Sequence, residues 1–142
     1  MYKNLLMEKI GKKAKFASHD LSKLNIKKKN SVLKQFNQYL RISEKLILSA
    51  NKKDVSKAKS KKIKYSMINR LKLSSEKIMQ IRNSINKIVK FNDPVGKTLS
   101  SWKRPNGLII KRVSIPIGVI GIIYESRPNV TSDVSALCFK SG

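Results

Sequence analysis

Cysteine and histidine are almost absent from this sequence. Its 142 residues include one cysteine, Cys138, and one histidine, His19. A single cysteine cannot form a disulfide within the chain, and a lone histidine has no partner ligand at metal-binding spacing. The sequence therefore predicts neither a disulfide framework nor a metal site.

Long apolar runs are also missing. The longest one, Ile115 to Tyr124, is far shorter than the roughly 20 residues that span a membrane. The first twenty residues mix Lys and Glu with apolar residues, so they lack the apolar core of a secretory signal. We therefore expect a soluble, cytoplasmic protein without a membrane segment.

Acidic residues are scarce, because 8 Asp and Glu face 32 Lys and Arg, for a formal net charge of +24. Such a charge by itself suggests a nucleic-acid-binding module, and this is the alternative function. However, Lys greatly outnumbers Arg and is interleaved with Asn and Ile throughout, which AT-rich codons would also produce. The basic segments lack interleaved aromatic residues for base stacking, so we expect no nucleic-acid partner.

The first part of the chain has helical periodicity. Apolar residues recur at steps of three and four on one stripe, namely Leu6, Ile10, Ala14, Ala17, Leu21 and Leu24. Asn25 is the predicted N-cap of a second helix. Its stripe comprises Val32, Phe36, Leu40, Ile47 and Ala50, with an interruption at Ser43.

Two more helices are predicted before residue 98. Asn51 is the expected N-cap of a short helix that buries Val55 and Ala58. Ser74 is the expected N-cap of a longer one, whose stripe consists of Ile78, Ile81, Ile85 and Ile88. Pro94 and Gly96 end this helical section.

From Trp102 onward the period changes toward two. The turn residues Pro105, Asn106 and Gly107 predict a hairpin, and residues 109–115 alternate as in a strand. The apolar run Ile117 to Tyr124 predicts a strand buried on both faces of a parallel sheet. Thr131 then caps a helix from about Ser132.

The last helix is predicted to bury one face and to end at a glycine. The face consists of Val134, Leu137 and Cys138, and Gly142 is the stop. The expected fold is α/β: an N-terminal helical segment (1–98), then a hairpin and the first strand and helix of an incomplete parallel-sheet cofactor domain (99–142). A βαβ unit packs its helix against two adjacent parallel strands, and only the strand before the helix is predicted here. The sheet is therefore expected to be incomplete.

The block from Arg104 to Gly142 closely resembles the glutamate-5-semialdehyde dehydrogenases (gamma-glutamyl phosphate reductases), a family within the aldehyde dehydrogenase superfamily. YESRPNVT, residues 124–131, and the ending Lys140-Ser141-Gly142 carry the resemblance most specifically. Weaker similarity extends back through DPVG, residues 93–96, to the opening helix. The chain would correspond to about the first third of the family's length.

The resemblance implies NADPH-dependent reduction of L-glutamate 5-phosphate to L-glutamate 5-semialdehyde, with release of phosphate, in proline biosynthesis. It also implies an oligomer in the intact family, and a catalytic cysteine in a second domain that is not in this sequence. We therefore expect no catalytic residue in this chain, no activity by itself and a companion chain that carries the remainder. A remnant that folds poorly is a third possibility.

By resemblance, one loop contributes to the cofactor or substrate site. It consists of Tyr124, Glu125, Ser126, Arg127, Pro128 and Asn129. Arg127 can pair with a phosphate or carboxylate, and Asn129 can orient a carbonyl oxygen. The structural alternatives are an ion pair of Glu125 with Arg127 or another neighbour, and an Asn129 that only stabilises a turn through its own backbone. Cys138 is expected to be a core residue rather than a nucleophile.

Overall fold

The structure is a computed structural model that describes residues 5–142. Within this range the chain forms six helices and one two-stranded antiparallel sheet. The elements are α1 (Leu5–Ser22), α2 (Ile26–Ile42), α3 (Glu44–Ser60), α4 (Tyr65–Leu71), α5 (Ser75–Lys90), β1 (Thr98–Lys103), β2 (Ile109–Val113) and α6 (Pro128–Ser141). This architecture agrees with the expected α/β class, while the division at residue 98 stays a prediction.

Side-chain caps begin α2 and α5, as the sequence predicts. The side chain of Asn25 accepts a hydrogen bond from the backbone N–H of Lys28 at 2.9 Å. The Ser74 hydroxyl accepts one from the N–H of Lys77 at 3.3 Å. Each bond satisfies a donor that has no partner within the helix, which fixes where the helix begins.

Asn51 is not a helix cap, contrary to the prediction. It lies within α3 and is buried, and its amide bridges to the segment between α4 and α5. Its Nδ2 donates to the carbonyl of Leu71 at 2.9 Å, while its Oδ1 accepts from the N–H of Leu73 at 2.8 Å. A buried amide requires such partners, and they lie about twenty residues further along the chain.

The core lies between α2, α5 and α6. Its buried members are Leu33, Ile81, Ile85, Ile88 and Ala136, with Phe36, Leu40, Leu73, Val89 and Phe139 packed against them. The predicted isoleucine stripe of α5 is thus confirmed. Full burial of a large aliphatic side chain contributes roughly 1.5–3 kcal/mol, so α5 is the central stabilising element.

The helix α1 forms where it is predicted but is poorly covered. It contains no buried residue, and Leu6 and Phe16 are 66% and 75% exposed. None of the helices in residues 5–142 has the length and apolar character that crossing a membrane requires.

The predicted hairpin is confirmed. β1 pairs with β2 in antiparallel register, with Trp102 opposite Ile110. Gly107 has a φ of +85°, which a glycine adopts without steric cost, and its N–H donates to the carbonyl of Arg104. Both strands are largely exposed, so local pairing forms the hairpin without a core beneath it.

The strand predicted over residues 117–124 is not formed. This segment has no regular secondary structure, and Ile117 and Ile123 are almost fully exposed. A strand requires hydrogen bonds to a neighbouring strand, and within residues 5–142 no strand lies beside this segment to form them. The predicted burial on both faces is therefore wrong as well, because residues 5–142 leave the apolar side chains of this segment exposed.

The helix α6 begins four residues earlier than predicted. It starts at Pro128, whose fixed φ suits the first helical position, and neither Thr131 nor Arg127 forms a side-chain cap. The predicted apolar face is also wrong, because Ala136 and Lys140 are buried instead. Gly142 ends the helix as predicted, with a φ of +83°.

Candidate functional site

The loop 124–129 connects the irregular segment to the first turn of α6. The hydroxyl of Tyr124 lies 2.6 Å from Oγ1 of Thr131, which joins the two sides of this connection. Ser126 has a φ of +51°, a left-handed conformation that non-glycine residues seldom adopt. Such backbone is held only where the surrounding structure requires it, so the direction of the chain at Ser126 is closely specified.

Glu125 and Arg127 are both exposed and form no ion pair with each other. Neither forms an ion pair with another group in residues 5–142 either, so this structural alternative to a binding role is not found. Arg127 directly precedes α6, and its guanidinium makes no hydrogen bond to the described part of the protein. A guanidinium in this position is available to an anionic group.

Asn129 lies in the first turn of α6. Its Nδ2 donates to Oδ2 of Asp133, one turn later, at 3.3 Å. The bond is made to a side chain and not to a turn backbone, so the second structural alternative is not observed either. The amide oxygen of Asn129 stays available as a further polar group.

A polar cavity of about 270 Å³ lies beside Asn129, between the start of α6 and the helices α4 and α5. It is lined by Arg70, Leu73, Lys77, Gln80, Ile81, Ser84, Pro128, Asn129 and Asp133. The structure thus brings two of the six predicted loop residues, Pro128 and Asn129, to a cavity that also carries charges of both signs.

Sequence reasoning missed three charged residues of this cavity: Arg70, Lys77 and Asp133. Asp133 follows Asn129 by four residues, a spacing that places both on one helix face, and this is the one sequence signal that could have linked it to the loop. No sequence signal distinguishes Arg70 or Lys77, because cationic residues occur throughout the chain.

A second, apolar groove lies at the other end of α6. Its volume is about 530 Å³, and it is lined by parts of α1, by residues 114–120 and by the last turn of α6. Cys138 is half-buried in this lining. The thiol is therefore a groove residue, only partly covered, and no second Cys or His lies with it in a cluster that could hold a metal within residues 5–142.

A buried charge pair joins the DPVG segment to the helices. The ammonium of Lys29, 1% exposed, lies 3.3 and 3.1 Å from the two carboxylate oxygens of Asp93. Burial raises the pKa of Asp93, but the N–H of Val95 and the ammonium of Lys29 together lower it further, so the pKa lies below its usual value.

Lys140, from the KSG ending, is buried beside this pair. Its Nζ donates to Oδ1 of Asn30 at 2.5 Å and to the carbonyl of Val89 at 3.2 Å. Burial lowers the pKa of Lys140, and the nearby charge of Lys29 adds to this, although Asp93 acts in the opposite direction. The two short motifs of the sequence, DPVG and KSG, thus meet at one buried polar cluster.

Comparison with known proteins supports the resemblance. The chain is 47% identical over 136 residues to the gamma-glutamyl phosphate reductase of Nitratiruptor sp., and 48% identical over 139 residues to that of Caldicellulosiruptor bescii. These matches cover 96% and 98% of the chain but 33% of each relative, so the chain spans about a third of their length. No protein-family model matches the chain.

Solved structures show the same likeness in three dimensions. The crystal structure of gamma-glutamyl phosphate reductase from Thermotoga maritima superposes with a TM-score of 0.89 at 41% identity, covering 92% of this chain and 31% of that one. The Saccharomyces cerevisiae structure has the same TM-score at 30% identity, covering 94% and 34%. The resemblance stated from sequence is confirmed.

Proposed function

The chain belongs to the gamma-glutamyl phosphate reductase family, of whose members it spans about a third, and we propose that it serves the reaction for which they are named. The supporting observation is 47% identity over nearly the whole chain together with a TM-score of 0.89. The proposed reaction is reduction of L-glutamate 5-phosphate to L-glutamate 5-semialdehyde, a step of proline biosynthesis.

In this reaction a thiolate attacks the acyl carbon of the mixed anhydride, and phosphate leaves. The resulting thioester accepts a hydride and then releases the aldehyde, with return of the thiolate. Bound NADPH supplies the hydride. The nucleophile is proposed to lie outside this chain, because Cys138 lines an apolar groove away from the loop 124–129.

The chain's own contribution is proposed to be the loop 124–129. Arg127 is exposed and has no ion-pair partner within residues 5–142, so it suits a phosphate of the cofactor or of the substrate. Asn129 stands at the beginning of a helix, where backbone N–H groups and the helix dipole favour negative charge. Its amide would orient the carbonyl oxygen that becomes negatively charged during attack.

The remaining loop residues are proposed to set the geometry of this site. Tyr124 ties the loop to Thr131, Ser126 sets the turn, and Pro128 begins the helix. Glu125 is exposed and is proposed to contact the cofactor or the substrate, as the family resemblance implies.

Polypeptide corresponding to the remaining two thirds of the relatives is proposed to cover the apolar residues 115–124. This stretch is exposed here, and burying apolar surface contributes roughly 25 cal/mol per Å². We propose that it is supplied by a companion chain, that the complete protein is an oligomer, and that it is cytoplasmic, where a free thiol such as Cys138 stays reduced.

The test combines the 142-residue chain with a second polypeptide that carries the remaining two thirds of the Nitratiruptor relative. The assay measures reduction of NADP⁺ by L-glutamate 5-semialdehyde in the presence of phosphate. We expect turnover from the mixture and none from the chain alone, because the chain alone lacks the nucleophile.

Two variants complete this test. Asn129→Ala should lower kcat of the mixture by about 10²-fold or more, as loss of an oxyanion donor does. Cys138→Ser should leave it nearly unchanged. Activity of the chain alone that is lost in Cys138→Ser would contradict the proposed division of roles, and an inactive mixture with proper assembly would contradict the function.

A further inference from the structure

We infer that the polar cavity between α4, α5 and the first turn of α6 binds the α-amino-acid end of the substrate. The inference rests on the proposed function, because a gamma-glutamyl group keeps a free ammonium and a free carboxylate on its α-carbon. The ligand class is therefore an L-α-amino acid with a side chain that ends in an acyl group, and L-glutamate itself is the simplest probe.

The charges around the cavity match such a zwitterion. Arg70 and Lys77 supply cationic groups, and Asp133 supplies a carboxylate. Neither cation forms an ion pair with any group in residues 5–142. Two cations and one anion that share a cavity without neutralising one another have charge free for a ligand that carries both signs.

Asp133 has an unused acceptor. Its Oδ2 accepts from Asn129, while its Oδ1 is buried and has no hydrogen-bond partner in the described structure. A buried acceptor without a hydrogen bond is unfavourable, so a donor from a ligand would stabilise the site. The α-ammonium group of an amino acid carries three N–H donors and is attracted to the carboxylate as well.

Lys77 is held in place at the cavity. Its Nζ donates to the carbonyls of Lys72 and Asn69, at 2.5 and 3.4 Å, at the end of α4. These bonds use two of its three donors and leave one for a ligand. The guanidinium of Arg70, from the same end of α4, adds a planar donor that can bind a carboxylate through two N–H groups.

The size and surroundings of the cavity also suit a glutamyl group. The cavity volume of about 270 Å³ far exceeds what a single water needs, so a small amino-acid group has room there. Asn129 lines the same cavity. The amide proposed to orient the reacting carbonyl is thus close to the residues that would hold the other end of the substrate.

The test titrates the 142-residue chain with three small molecules at constant ionic strength and follows its amide NMR signals. L-Glutamate has both α-groups, glutarate lacks the ammonium, and 4-aminobutanoate lacks the α-carboxylate. We expect L-glutamate to bind at least about tenfold more tightly than either of the others. Nonspecific attraction to a +24 chain would instead favour glutarate, the only dianion.

Two variants test which cavity residue binds the ammonium group of L-glutamate and which binds its α-carboxylate. Asp133→Asn should weaken L-glutamate about tenfold and leave glutarate unchanged or tighter, because only the ammonium partner is lost. Arg70→Gln should weaken L-glutamate and glutarate but not 4-aminobutanoate. The matched controls Asp54→Asn and Arg41→Gln change exposed residues outside the cavity and should have no effect.

Several outcomes would overturn the inference: no binding of L-glutamate, glutarate binding as tightly as L-glutamate, or an equal effect of Asp54→Asn and Asp133→Asn. The relative affinities of the wild-type chain for the three ligands test the inference even if a variant fails to fold. Binding here needs neither cofactor nor turnover. An active mixture of the two polypeptides with no preference for L-glutamate would therefore reject the cavity and retain the reductase function.

Discussion

At the scale of single residues, buried polar groups connect distant parts of this chain. Lys29 pairs with Asp93, and Asn51 joins α3 to the segment between α4 and α5. An ionic or amide group that loses its partner in the interior leaves an uncompensated charge or an unsatisfied hydrogen bond. These residues are therefore more sensitive to substitution than the many exposed lysines.

Asp93→Asn should lower the free energy of unfolding at neutral pH by about 3 kcal/mol, because it leaves the ammonium of Lys29 buried without a counter-charge. Urea unfolding measures the change. The control Asp20→Asn removes a carboxylate from an exposed ion pair with Lys23 and should cost less than about 1 kcal/mol. Equal losses in the two variants would contradict a special role for the buried pair.

The same pair predicts a pH dependence in acid. The pKa of Asp93 is lower in the folded than in the unfolded state, so the unfolded state binds the proton more readily. Its stabilising effect is complete above the unfolded value of about 4 and is lost as the pH falls through the folded value. The difference between the wild type and Asp93→Asn should therefore shrink below about pH 4.

At the scale of elements, α5 and the irregular segment differ sharply in how far their apolar side chains are buried. α5 buries four isoleucines, whereas residues 117–124 find no strand partner within residues 5–142 and keep their apolar side chains exposed. The helix formed by residues 128–141 nevertheless packs in the same core as α2 and α5, through Ala136 and Phe139. The irregular segment thus lies between two anchored parts of the chain.

We expect the amides of residues 117–124 to exchange rapidly with solvent in the isolated chain, while those of α5 are protected. Adding the polypeptide for the remaining two thirds of a relative should slow exchange in this segment. Ile123→Lys should change the stability of the isolated chain by less than about 0.5 kcal/mol but prevent that slowing.

The control for this experiment is Ile85→Ala, which removes a fully buried side chain and should cost about 2–5 kcal/mol. Strong protection of residues 117–124 in a monomeric chain without any companion would mean that the segment is satisfied within the chain. In that case the proposed covering polypeptide would be wrong.

At the scale of the whole molecule, the net charge of +24 opposes compaction through repulsion among exposed cations. Raising the ionic strength from 10 to 150 mM shortens the screening length from about 30 to about 8 Å. The melting temperature should therefore rise, by roughly 4 °C for each kcal/mol of repulsion removed.

A variant with fewer charges tests the cause of this rise. Replacing Lys57, Lys59, Lys61 and Lys62, all exposed, by Gln lowers the net charge by four and should weaken the salt response. A salt response of the same size in this variant and the wild type would show that repulsion in this lysine-rich stretch is not its source.

The sequence by itself determined the features that depend on near neighbours. The buried stripe of α5, the caps at Asn25 and Ser74, and the hairpin turn involve residues a few positions apart, so periodicity and cap chemistry predict them. The predicted stripe of α2 was too long, because Ile47 and Ala50 lie in α3. The motif YESRPNVT likewise indicated the family, since a short specific string needs no tertiary information.

Only the tertiary structure decided which polar groups meet and which apolar ones stay uncovered. Asn51 has a cap-forming side chain, but its partners lie twenty residues away, and Lys140 donates to Asn30 across 110 positions. The cavity that contains Arg70 and Asp133 likewise joins distant helices. Residues 117–124 have the composition of a strand, but no neighbouring strand pairs with them within residues 5–142. Whether a residue is buried depends on which distant segments pack against it, and the local sequence pattern does not specify those segments.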